Sequence, residues 1–382
     1  MQAVYGWAAL QYQAWTRGWL TVNGTSPRTI VLYTDQILEY YIDGQHHFGG
    51  DAYAFRKAPL VLHLDPGRHQ LDVRLVRDVR AMGGVGEPTI AVTIRAELSH
   101  SVMNISSDSI ILPDRIGGKP ASSFGSVTVR NDGYEDVEIT RFVTTGGAYQ
   151  VSLSGAYEPT RVASGQTRPV PFKLACGLNC PEEIEICICS RPLSTLVANV
   201  ENCEFVKGRL RSRRIFESHK ITYLHPAGIV SYSMLQIPSP NATCPDRFNG
   251  GLAPVMLQLH GAGVDADNPL VADSLNGLDL CAWILFPSGG TPWSGDDWHQ
   301  WGFADVEAAV RSLSDWIVLH KWRESPPPDY QRWLVTGHSN GGQGAWYTMT
   351  HHPDKILAGA PISGYSSIQS IPRLSDIARS QS

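Results

Sequence analysis

The chain has 382 residues, 42% of them hydrophobic and 18% charged, with a formal net charge of -5. That is enough chain for two or three ordinary domains, in a normal globular balance. The mild negative charge gives no reason to expect a nucleic-acid or anionic-membrane partner. No apolar run reaches the roughly 18 residues needed to span a bilayer.

Residues 1–20 are apolar and aromatic but lack a basic start and a small-residue cleavage site, so they do not read as a signal peptide. Asparagine sequons stand at Asn23, Asn104 and Asn241 and lend weak support to secretion. Localisation therefore stays open between secreted and cytoplasmic. Five of seven cysteines (Cys176, Cys180, Cys187, Cys189, Cys203) fall in one short stretch, with Cys244 and Cys281 apart. Their spacing matches no zinc pattern, which leaves disulfides and buried thiols as the readings and sets metal last. Cys281 lies in an apolar run and reads as core.

Taken in chain order, residues 1–100 predict a β-rich, sandwich or jelly-roll module. Short strands are expected at 29–33, 37–42, 60–64, 71–76 and 89–98, with Asp43-Gly44 and Asp65-Pro66-Gly67 as turns. Leu71, Val73 and Leu75 alternate with Asp72, Arg74 and Val76, the period of a half-buried strand. Residues 101–225 predict a second, immunoglobulin-like sandwich, with strands at 126–130, 137–141, 149–153 and 170–174 and a tight turn at Asn131-Asp132-Gly133. The basic run 207–214 reads as a solvated strand or linker, with a processing site or anion patch as the alternative. Trp15, Trp19, Tyr40 and Tyr41 are candidates for a carbohydrate-stacking platform, although core packing explains aromatics more cheaply.

The pattern changes near residue 250. Residues 255–259 and 282–286 are continuous apolar strands of a sheet buried on both faces. Residues 304–319 carry a helical stripe of Val306, Ala309, Val310, Leu313, Trp316 and Ile317, stopped by prolines at 326–328. A strand at 332–336, a helix at 341–351 and a strand at 356–360 complete an alternating β/α order, hence a mostly parallel sheet over 226–382.

Trp333-Leu334-Val335-Thr336-Gly337-His338-Ser339-Asn340-Gly341-Gly342 contains Gly-x-Ser-x-Gly between a strand and a helix, the setting of a nucleophile elbow. The bend is so tight that side chains at Gly337 and Gly341 would clash. It leaves the Ser339 hydroxyl at a helix N-terminus, where the dipole favours developing negative charge. His260-Gly261-Ala262-Gly263 follows the 255–259 strand. With these two strings residues 226–370 resemble the α/β-hydrolase superfamily, most closely its prolyl-oligopeptidase-like (peptidase S9) and related esterase branches. The resemblance implies Ser339 as nucleophile, an oxyanion hole from the backbone N–H groups of Gly261, Ala262 and Asn340, and His260 as a loop-positioning residue. It extends to the Trp298-His299-Gln300-Trp301-Gly302 segment with Asp305, which is expected to cap or orient the following helix, while the tryptophans floor an acyl pocket or pack in the core. It also covers Pro353-Asp354-Lys355 and the strand after it.

A triad further needs an acid and a histidine downstream of the serine. The histidines there, His351 and His352, sit about 18 Å along the helix from Ser339, and Asp354 and Asp376 fall too early for the acid. His338 should point away from the site, and His299 is an outside candidate. The expectation is thus a partial α/β-hydrolase domain, C-terminally truncated, with an unpaired sheet edge and weak or no activity alone. The leading function is a serine hydrolase acting on a peptide, or an ester, with no cofactor or metal. The rival is a non-catalytic β-sandwich binding protein carrying a hydrolase remnant.

Overall fold

The computed structural model describes residues 12–49, 58–77, 90–154, 160–193, 201–239, 242, 244, 251–276, 278–291 and 294–366. The first two regions are sandwiches. In the first, a four-stranded sheet (Tyr12–Val22, Gly67–Arg77, Glu39–Ile42, Gln45–Phe48) faces a three-stranded one (Leu60–Leu64, Arg28–Asp35, Thr93–Leu98). The alternation at 71–75 works as the period requires, with Leu71, Val73 and Leu75 turned into a core of Leu32, Ile37, Tyr40 and Ile42. The second sandwich packs the sheet of Tyr149–Leu153, Thr167–Cys176, Phe124–Asn131 and Met103–Ile105 on that of Thr160–Val162, Val137–Thr144, Glu183–Pro192 and Asn202–Arg209. Its predicted turn is closed by the Asn131 side chain, which accepts from the Gly133 amide (2.9 Å).

The basic run is dispersed into ion pairs: Lys207 with Glu185, Arg209 with Glu182 and Arg214 with Glu217. Disulfides join Cys176 to Cys180, Cys189 to Cys203 and Cys244 to Cys281, leaving Cys187 a buried thiol. Cys281 is therefore a cross-link and not merely core, a pairing that local sequence does not disclose. Cys189 and Cys203 lie directly opposite on adjacent strands.

The third region is a six-stranded sheet in the order β1 (His219–Leu224), β2 (Val230–Gln236), β4 (Trp283–Pro287), β3 (Ala253–Leu259), β5 (Pro328–His338), β6 (Ile356–Ile362). β1–β2 and β2–β4 are antiparallel, and the remaining pairings are parallel. The sequence boundary at 225/226 assigned 219–224 to the second β module. That segment is instead the outer strand of this sheet, because its Ile221 and Tyr223 pack in the sheet core. Helices α1 (Trp301–His320) and α2 (Asn340–His351) follow β4 and β5. The α1 stripe, with Val306, Ala309, Val310, Leu313 and Trp316, buries against the sheet beside Trp283 and Trp333. Among the described residues β6 has a neighbour on one side only, and Leu357 and Ile362 there are exposed.

Candidate active site

β5 is the strand between β3 and β6, and its C-terminal end turns directly into α2 at Ser339. Ser339 has φ 57 and ψ -117, a conformation that L-residues adopt only under constraint. The constraint is visible in the flanking glycines. A Cβ on Gly337 would sit 2.3 Å from the Gly341 carbonyl oxygen, and one on Gly341 would sit 2.0 Å from the Leu259 carbonyl oxygen. The turn is locked by the Ser339 amide donating to Ile362 on β6 (2.9 Å) and by the Gln343 amide donating to the Ser339 carbonyl (3.0 Å). The Ser339 side chain is thereby exposed at the head of α2, while Asn340 at the first helical position is buried.

The His260–Gly263 loop lies against this bend. A Cβ on Gly261 would be 3.6 Å from Ser339 Cβ, ordinary van der Waals contact, so the Gly261 backbone runs directly beside the serine. Gly261 is half-buried and Ala262 exposed. His260 is buried, its Nε2 within 2.9 Å of the Ser288 carbonyl and its Nδ1 within 2.9 Å of the Gly261 carbonyl. The ring thus ties the loop after β3 to the loop after β4. Trp298 packs edge-on against it (4.9 Å) from a left-handed backbone conformation, φ 64.

The 298–305 segment divides between the expected roles and others. Trp298 is core, wedged where Gly344 leaves room, whereas Trp301 is 64% exposed. The amides that open α1, Trp301 and Gly302, donate to Asp296 (2.6 and 3.0 Å), so Asp296 supplies the cap expected of Asp305. Asp305 lies one turn further on, with no exposure. Its Oδ2 accepts from the Gly289 amide (2.8 Å) and the Tyr223 hydroxyl (3.2 Å), and burial raises its carboxyl to about 6. The same burial, with the neighbouring Asp305 charge, pushes the Tyr223 hydroxyl well up.

The histidines are dispersed. His351 stacks on Tyr347 (4.0 Å) and His352 on Phe303 (3.9 Å) at the far end of α2. His338 is exposed. His299 stacks on Tyr347 (4.7 Å) and bonds Gln343, one turn after Ser339 (2.6 Å). Among the described residues no imidazole is hydrogen-bonded to the Ser339 hydroxyl. Asp376 lies outside the described residues.

No family model matches the chain. An uncharacterized secreted protein of Arthroderma benhamiae is 41% identical over 373 residues, spanning 97% of this chain and 38% of its own length. The chain thus spans under two fifths of that curated relative. Among solved structures, an S-formylglutathione hydrolase (FrmB) of Staphylococcus aureus is 16% identical over 40% of this chain and 59% of its own, with a TM-score of 0.28. A thermostable esterase is 16% identical over 70% and 80%, TM-score 0.25. An exo-chitosanase of Amycolatopsis orientalis is 15% identical over 94% and 45%, TM-score 0.30. At these TM-scores the likenesses carry no weight beside the strand order and the bend at Ser339.

Proposed function

We propose that this chain carries the nucleophile of a serine acyl hydrolase of the α/β-hydrolase type. The observation that carries the reading is the strained, exposed Ser339 between a parallel strand and a helix N-terminus, with the bare backbone of Gly261 beside it. In this reading Ser339 Oγ attacks a carbonyl carbon and its proton passes to a base. The oxyanion is held by the N–H groups of Asn340 and of Gly261 or Ala262, an effect of about 3 kcal/mol per donor. Collapse of the intermediate expels an amine or alcohol, which takes up a proton, and water then releases the acyl group from Ser339. The peptidase S9 resemblance supports a peptide carbonyl as the first substrate, with an ester second. We infer slow turnover for this chain alone, because no described imidazole reaches Ser339. The secreted relative and three disulfides favour an oxidising, extracellular setting.

A fluorophosphonate probe should label Ser339 and leave Ser339→Ala unlabelled, with aminopeptide and short acyl-ester chromogenic substrates then separating the two leaving groups. Absence of labelling at Ser339 under forcing probe concentrations refutes the reading. A second role, carbohydrate contact, is favoured by one sheet face of the first sandwich. There Trp15, Trp19 and Phe48 are more than half exposed, and Trp15 packs beside Tyr41 (5.6 Å). Tyr40 leaves this set, since alternation turns it into the core. Glycan-array binding lost in Trp15→Ala is the expected result, and no binding by the intact chain excludes the role.

A further inference from the structure

We propose that Asp305 is a positioning residue that holds the Gly261–Ala262 loop against Ser339 through a buried relay, Asp305 to Gly289, Ser288 to His260. The inference rests on the hydrolase reading for its purpose but not for its geometry. The relay is continuous. Asp305 Oδ2 accepts from the Gly289 amide (2.8 Å), and Gly289 is bonded in the chain to Ser288, whose carbonyl receives His260 Nε2 (2.9 Å). His260 precedes Gly261 in the chain and meets the Gly261 carbonyl through Nδ1 (2.9 Å).

The carboxylate is itself fixed from the sheet side. Tyr223 on β1 shares its one hydroxyl proton between the same Oδ2 (3.2 Å) and the Tyr232 carbonyl on β2 (3.0 Å), so its hydroxyl lies between the carboxylate and the neighbouring strand. Gly289 and Gly290 have φ of 61 and 82, and a two-glycine left-handed turn is conformationally loose. The remaining bonds of that turn run from the Ser288 amide to the Tyr232 carbonyl (3.1 Å), between the Ser288 and Ser231 hydroxyls (2.9 Å), and from the Gly290 amide to Ser288 Oγ (3.2 Å). The Gly290 amide closes the turn onto Ser288, and the bond to Asp305 ties the Gly289 amide to α1. Asp305 is fully buried, where a carboxylate is costly to keep without hydrogen-bond partners. Because α1 carries Asp305 and its register on the sheet is set by the apolar stripe, the helix fixes where an oxyanion donor sits more than 40 residues earlier in the chain.

Hydrogen exchange resolved by residue segment tests this without requiring turnover. Asp305→Ala should speed exchange about tenfold or more at 260–263 and at 288–290, with 306–320 unchanged. Asp305→Asn, which keeps an acceptor for the Gly289 amide, should restore wild-type exchange in both segments. His260→Phe cuts the relay at its other end and should free 261–263 while leaving 289 protected, which keeps the test valid if Asp305→Ala fails to fold. Fast exchange confined to 288–290 in Asp305→Ala, or unchanged exchange at 261–263 in His260→Phe, overturns the relay. Fluorophosphonate labelling of the wild type separates the two claims. An intact exchange pattern with no labelling sinks the hydrolase reading alone, and labelling with a failed pattern sinks the relay alone.

Discussion

Two fully buried titratable groups in the C-terminal region pull its pH dependence in opposite directions, and removing one should expose the other. Burial lifts the Asp305 carboxyl from 3.8 to about 6, favouring its neutral form by about 3 kcal/mol. Between those values the folded chain holds a proton that the unfolded chain has lost, so this contribution is full below about pH 4 and disappears as pH rises through 6. His219, stacked on Trp316 and with no exposure, is pushed from 6.5 down to about 4, again chiefly by burial. Here the unfolded chain binds the extra proton. The His219 contribution is therefore present above about pH 6.5 and is lost on acidification toward 4, also by about 3 kcal/mol. In the wild type the two slopes largely offset between pH 4 and 6. Asp305→Asn removes one of them. Urea unfolding at half-unit steps from pH 4 to 7.5, followed by the fluorescence of the buried Trp283, Trp298, Trp316 and Trp333, should show the variant gaining on the wild type by about 3 kcal/mol as pH rises. Parallel stability curves for the two proteins across that range would falsify the burial argument for Asp305.

The elbow should tolerate no side chain at its second glycine. Gly341→Ala drives a methyl group into the Leu259 backbone and should cost about 3 kcal/mol by chemical denaturation, whereas Gly18→Ala, with nothing within 4 Å, should stay within about 0.5 kcal/mol. Equal costs would contradict the packing described. Cys244→Ser with Cys281→Ser opens a loop of sequence separation 37 and should lower stability by up to about 4 kcal/mol, with no further loss on adding reductant to a domain in which only that bridge matters. Glycopeptide mapping after secretory expression should find Asn23 occupied and Asn104 bare. Asn23 is exposed just past a strand end, while Asn104 Nδ2 donates to Asp132 (2.6 Å).

The local pattern determined a good deal. Alternation at Leu71, Val73 and Leu75 decided which face of that strand is buried, because the strand period admits one choice. The α1 stripe decided the helix and its buried side in the same way. The Gly-x-Ser-x-Gly string between a strand and a helix marked the elbow, although the neighbour that excludes a side chain at Gly341 is the Leu259 backbone of another strand. What the tertiary structure alone decided concerns partners distant in the chain. The Cys244–Cys281 pairing, the placement of His219–Leu224 in the last sheet and the burial of Tyr40 depend on strands meeting across long separations. Asp305 shows the difference most plainly. Its place near the start of a helix suggests a cap, and only the packing of α1 on the sheet brings its carboxylate to Gly289 and Tyr223 instead. A short-range period records which way a side chain points, and it carries no record of what another segment will bring to meet it.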